Sequence, residues 1–305
     1  MSQNRSGNLP DAMCVEQPRL RDVDLTIAIS DRSRYVSPLL SQFGLSVVAV
    51  CRWTDGQQKT LLFDTGWSWP PLAHNLQQIG LDPAEIDWIV LSHCHYDHTG
   101  GLAGLLDVCG DQTMLCAQQT ITRHVVSTTG GIHPIGLEPG VIEGISDHRR
   151  LLVEGPTELM PDVWVTGFVP RKTDFEEPEE GVFVLSGGRM TPDPEEDDMA
   201  LVFNLGQEGL VVLTGCGHAG VVNTVLAANH IIPDARVSAV VGGFHLIDKT
   251  DEVRERSITC LREQGVRDIW SGHCTGHIAE DMLEKAFGER YRRFYSGDRI
   301  HFASR

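Results

Sequence analysis

The chain has 305 residues, 41% of them hydrophobic, which is enough to bury a full core in one large domain rather than two. Its formal net charge of −17 repels phosphodiester backbones and argues against a nucleic-acid-binding surface. Residues Met1 to Leu20 are polar and lack an apolar signal core, and no stretch of about 20 uninterrupted apolar residues follows; the expectation is a soluble cytoplasmic protein with a flexible segment over 1–20 and a single domain over 21–305.

In chain order, Asp24 to Ile29, Ser46 to Cys51 and Thr60 to Phe63 read as strands, and Leu72 to Gly80 as a helix closed by its glycine. Trp88 to Leu91 reads as a strand and Gly100 to Leu106 as a short helix. Residues 117 to 200 are rich in Gly and Pro and carry two acidic stretches, Glu176 to Glu180 and Pro192 to Asp198. They read as a loop-rich insert of solvated segments, with a substrate-selecting lid as the functional alternative. From residue 201 the order is two strands, a helix over Gly220 to Asn229, a strand over Val237 to Val241, a helix over Asp251 to Gln264, a strand over Val266 to Trp270 and a helix over Ala279 to Phe287. The eight cysteines form no C-x-x-C pair, so reduced thiols are expected rather than a disulfide scaffold.

Between the strand at Trp88 and the helix at Gly100 stands Leu-Ser-His-Cys-His-Tyr-Asp-His-Thr-Gly-Gly, residues 91 to 101. In an extended segment, side chains two apart share a side, so His93 and His95 can grip one ion while Cys94 points away. Asp97 and His98 reach a second position as the chain turns. Imidazole and carboxylate together suit zinc, manganese or iron. A histidine-rich surface loop without an ion is the plainer reading, and the placement of H-x-H-x-D-H directly after an apolar strand argues against it.

This pattern resembles the signature of the metallo-β-lactamase superfamily, and other stretches extend the resemblance. Leu61-Leu-Phe-Asp-Thr-Gly66 is similar to the strand that precedes the histidine motif there; Gly209 to Cys216 is similar to the strand that ends Thr-Gly-Asp, with Cys216 in the place of the aspartate; Val266 to His273 is similar to the last strand. Thr214-Gly-Cys-Gly-His-Ala-Gly-Val-Val-Asn223, Gly242-Gly-Phe-His245 and His273-Cys-Thr-Gly276 resemble a narrower subgroup, that of the 7,8-dihydropterin-6-methyl-4-(β-D-ribofuranosyl)-aminobenzene-5'-phosphate synthases.

The resemblance implies a four-layer αββα sandwich and two divalent ions, zinc first with manganese or iron as alternatives. It implies His93, His95, Asp97, His98, Cys216, His218 and His273 as ligands, His218 replacing a histidine that is missing near Glu196 to Asp198. Asp64 would orient a ligand imidazole and Asp97 would be catalytic. On the residues themselves, His245 reads either as a catalytic group at a strand end or as a packed histidine, and Arg171 either as meeting an anionic group of the substrate or as part of a surface pair with Lys172. The chemistry implied is attack by a metal-bound hydroxide on a small ester, lactone, phosphoester or related compound. The alternatives are condensation of a pterin with a ribosyl-aminobenzene phosphate, or metal-containing ligand binding without catalysis. The expected partner is a small-molecule substrate, with no nucleic acid or membrane, and self-association is left open.

Overall fold

The computed structural model describes residues 17–305; the expected flexible segment falls almost wholly on residues outside that range. Two seven-stranded sheets dominate. The first has the order Arg299–Ala303, Leu20–Ile29, Ser46–Trp53, Gln58–Phe63, Trp88–Val90, Met114–Gln118, Arg150–Val153, antiparallel through the first four and parallel thereafter. The second runs Tyr291–Arg293, Asp268–Ser271, Val237–Gly242, Leu210–Thr214, Leu201–Asn204, Val163–Val165, Thr157–Met160, with its first four strands parallel.

The strands are buried on both faces, and their period of two divides them between different cores. Val47, Ala49, Cys51, Leu61 and Phe63 of the first sheet meet Val211, Leu213, Ala239 and Val241 of the second in one cluster between the sheets. The alternate residues Val48 and Leu62 face helices α1 (Trp69–Ile79), α2 (Tyr96–Thr99) and α3 (Leu102–Leu106). Val212 and Val240 face α4 (Val221–Ile231), α5 (Asp251–Glu263) and α6 (His277–Phe287). The layers are therefore helix, sheet, sheet, helix, the αββα sandwich.

Residues 117–200 depart from the loop reading. They supply edge strands to both large sheets and a separate four-stranded sheet, Arg189–Pro192, Val182–Ser186, Val125–Ser127, His133–Pro134. Val125 and Val182 are buried against the helical layer of the first sheet, so this small sheet roofs the molecule rather than hanging in solvent. The five strands that matter for chemistry, ending at Phe63, Val90, Thr214, Gly242 and Ser271, all deliver their C-terminal ends to one side.

Candidate metal centre

At those strand ends the backbone is unusual. Asp64, His245 and His273 have φ of 60°, 46° and 50°, a region that costs a non-glycine residue about 1–3 kcal/mol and persists where surrounding packing holds it. The turns aim side chains inward. Close approach also demands glycine: a Cβ on Gly215 would lie 2.1 Å from Ser92 Oγ and 3.0 Å from Asp64 Oδ2.

His95 forms the N-terminal boundary of α2, and Asp97 and His98 lie within that short helix. Two adjoining groups of donors result. In one, the rings of His93, His95 and His218 stand 4.6 to 4.8 Å apart between centroids. In the other, His98 Nε2 lies 3.1 Å from Cys216 Sγ and 3.2 Å from His273 Nε2; Asp97 Oδ2 is 3.5 Å from His98 Nε2 and 3.3 Å from His273 Nε2. Cys216 adjoins both groups, because its sulfur is also within reach of His93 and His218. The structure thus gathers every residue expected as a ligand, and the three stretches that carry them, 93–98, 216–218 and 273, meet because both sheets end at the same rim.

Three of the candidate ligand imidazoles are fixed from behind. Asp64 Oδ2 is 2.6 Å from His98 Nδ1, Ser92 Oγ is 2.8 Å from His93 Nδ1 and donates to Asp64, and Asp31 Oδ1 is 3.0 Å from His273 Nδ1. Such partners set which ring nitrogen faces an ion. The donors fit a cation: His93 Nε2 and both ring nitrogens of His218 are buried without a hydrogen-bond partner, and coordination would remove that cost at one nitrogen of each ring. Burial, joined by the neighbouring imidazoles, pushes the pKa of His93 and His218 well down, and that of His95 to about 4; the neutral ring is the ligand form. Burial opposes ionisation of Asp97, but His98 and His273 outweigh it and hold the carboxyl low.

Asp97, His218, His245 and Cys216 open on a cavity of about 310 Å³, with Phe43 and Tyr96 on its wall. His245 Nε2 is 3.2 Å from Glu179 Oε2, and its ring centroid is 4.2 Å from that of His218.

Arg171 is placed otherwise than expected. It does not line the cavity; its guanidinium donates to Glu195 Oε2 at 2.5 Å, to the His218 carbonyl at 2.8 Å and to the Pro194 carbonyl at 2.6 Å. A guanidinium so committed supports the loop behind His218 and stands outside the cavity lining. The acidic stretches are only partly solvated: Glu177, Glu180 and Glu196 are exposed, whereas Glu176, Asp193, Glu195, Asp197 and Asp198 are buried. Asp193 and Asp197 pair with Arg123, Asp197 Oδ2 also accepts the Cys94 N–H at 2.7 Å, and Asp198 Oδ2 accepts the Ala219 N–H at 2.7 Å. Burial raises the pKa of Asp198 to about 7. Sequence reasoning missed Asp31, Glu179 and Glu195; the arginines and histidines that neutralise them are distant in the chain, so composition alone marks them as exposed.

Residues 43–120 match the family described as the metallo-beta-lactamase superfamily. The chain is 33% identical over 290 residues to the 7,8-dihydropterin-6-methyl-4-(beta-D-ribofuranosyl)-aminobenzene-5'-phosphate synthase of Methanocaldococcus jannaschii, covering 93% of this chain and 98% of that protein. It is 29% identical over 232 residues to an uncharacterized protein of the same archaeon, covering 74% of this chain and 83% of the other. Among solved structures, that of Tm1679, a metal-dependent hydrolase of the beta-lactamase superfamily, superimposes with a TM-score of 0.77 at 27% identity and covers 92% of this chain and 100% of that one. With the αββα layers, the histidine motif at the strand end and a relative matched over nearly its whole length, the chain belongs to the metallo-β-lactamase superfamily.

Proposed function

We propose that the protein is an enzyme that holds two divalent cations, zinc in first place, and hydrolyses a small ester, lactone or phosphoester. The observation that carries this reading is the pair of adjoining buried donor groups, His93, His95 and His218 beside Asp97, His98, Cys216 and His273, of which His95, Asp97, Cys216, His218 and His273 line one cavity. Bound there, divalent ions supply Lewis acidity and lower the pKa of water to about 7. The chain's own groups do the rest. Asp97 Oδ2 faces both His98 and His273 and can accept a proton from a nucleophile entering from the cavity. His245, backed by Glu179, stands on the cavity wall as the group to hold a proton near a leaving oxygen. Among the described residues lining the cavity none is Lys or Arg, so His133 and His245 are the side chains there that could meet an anionic substrate group as cations.

A second reading, a synthase acting on a pterin and an aminobenzene ribosyl phosphate, is favoured by the identity to the archaeal synthase over nearly both lengths. It also has a physical correlate: Phe43, Trp67 and Tyr96 cluster beside the cavity with centroids 5.7 to 6.3 Å apart, a surface on which a flat ring can stack.

Elemental analysis of protein purified without chelator is expected to find about two ions per chain. His95→Ala should lose bound metal and activity together while keeping the far-ultraviolet circular dichroism of the native chain; full metal content and activity in that variant would sink the assignment. Product analysis then separates the readings, since hydrolysis consumes one substrate plus water and the synthase joins two.

A further inference from the structure

We propose that Glu195 is the positioning residue for the ligand His218 and, through the same carboxylate, for the Glu179–His245 pair; this rests on the metal-centre reading above. Glu195 belongs to the acidic stretch that composition assigns to solvent, yet it is 3% exposed and held at φ 53°. Its Oε2 accepts from Arg171, while its Oε1 stands 3.1 Å from His218 Nδ1, within ion-pair reach though not aligned as a hydrogen bond, and 3.3 Å from the Glu179 backbone N–H, which it accepts. The backbone N–H of Glu195 donates to Asp193, which Arg123 holds in turn.

The contacts form a closed circuit. Arg171 grips Glu195 with the same nitrogen that reaches the carbonyl of His218 itself, so the carboxylate and the main chain of the ligand are fixed to one guanidinium. With Nδ1 of His218 facing Glu195 at 3.1 Å and Glu179 at 3.8 Å, Nε2 is left to face His93 and Cys216. His93, His98 and His273 each have an oxygen on Nδ1 from their own strand ends or the nearby loop at Asp31. His218, which comes from a different stretch of chain, obtains its oxygen from a roof segment instead. A single buried carboxylate thereby fixes one ligand ring and sets Glu179 against His245.

The test is titration of the metal-free full-length chain with zinc, and separately with cobalt, in the native protein, Glu195→Gln and Glu195→Asp. The native chain is expected to take two ions. Glu195→Gln should bind one of the two about 10–100-fold more weakly, with altered cobalt d–d bands and an unchanged thiolate-to-cobalt band from Cys216; Glu195→Asp should recover part of the affinity. If Glu195→Gln does not fold, Arg171→Gln carries the test, since freeing the carboxylate should weaken the same ion. Two ions bound at native affinity with native cobalt spectra in these variants overturns the role of Glu195 alone. A native chain that binds no cation overturns the metal-centre reading, and this proposal with it.

Discussion

At the scale of single residues, the site depends on places where no side chain fits as much as on the ligands. Gly215 sits against the Ser92–Asp64 contact, and its missing Cβ lets the strand end that carries Cys216 approach the loop that carries His93. Gly215→Ala should therefore push Ser92 and Asp64 apart, at a cost of about 1–3 kcal/mol in urea unfolding. It should also weaken metal binding, because Asp64 fixes His98. Unchanged unfolding and unchanged metal content in that variant would refute the close approach. The candidate ligands within six positions, His93, His95, Asp97 and His98, were legible from spacing alone, because extended backbone and a following turn dictate where those side chains go.

At the scale of elements, the strand–turn–helix units of the second half show how a loop carboxylate substitutes for a local cap. Helix α4 begins at Gly220 without a side-chain cap of its own. Glu176, buried and 46 residues away from Val222, accepts the Val222 and Asn223 N–H groups at 2.9 Å each. A carboxylate on two first-turn N–H groups also faces the positive end of the helix dipole. Glu176→Ala should cost about 1–3 kcal/mol by chemical denaturation and expose α4 to faster amide exchange than α5, whose own Thr250 side chain accepts the Val253 N–H. Equal exchange of the two helices would remove the capping role. Helix boundaries were read to within a few residues because glycines and apolar periodicity mark them: α1 ends at Gly80, with φ 81°. The small sheet of residues 125–192 was not read, since its strands are short and its exposed faces carry mixed side chains.

For the whole molecule, the two ends of the described chain are joined in one sheet, Leu20–Ile29 beside Arg299–Ala303. A polar net crosses this edge: Arg52 donates to Asp22 at 2.6 Å and Asp24 at 2.7 Å, and His301 Nδ1 is 2.7 Å from Asp24. Burial opposes ionisation of Asp22 and Asp24, but hydrogen bonds from Arg21 and Arg52 to the first, and from His301 and Arg52 to the second, hold both pKa values below the ordinary one. A carboxyl lowered on folding stabilises above its unfolded pKa of about 4 and loses that contribution as pH falls towards the folded value. The thermal unfolding midpoint should accordingly drop as pH falls below about 4, and Asp22→Asn should flatten that limb while leaving the profile above pH 5 parallel to the native one. An unchanged acid limb would show that the net contributes nothing at this edge. Among the described residues, no helix is long and apolar enough to cross a membrane.

The sequence by itself determined the local chemistry: the H-x-H-x-D-H motif, the strand ends at Asp64, Cys216 and His273, and the family. These are written in spacing, which backbone geometry converts directly into direction. Tertiary structure alone decided the partners. It brought His218 beside His93 across the two sheets, turned Arg171 away from the cavity to hold Glu195, and buried Glu176, Asp193, Glu195, Asp197 and Asp198 in a stretch whose composition reads as solvent. The reason is that burying a carboxylate depends on which cation or N–H group meets it, and those groups lie tens to more than a hundred residues away along the chain.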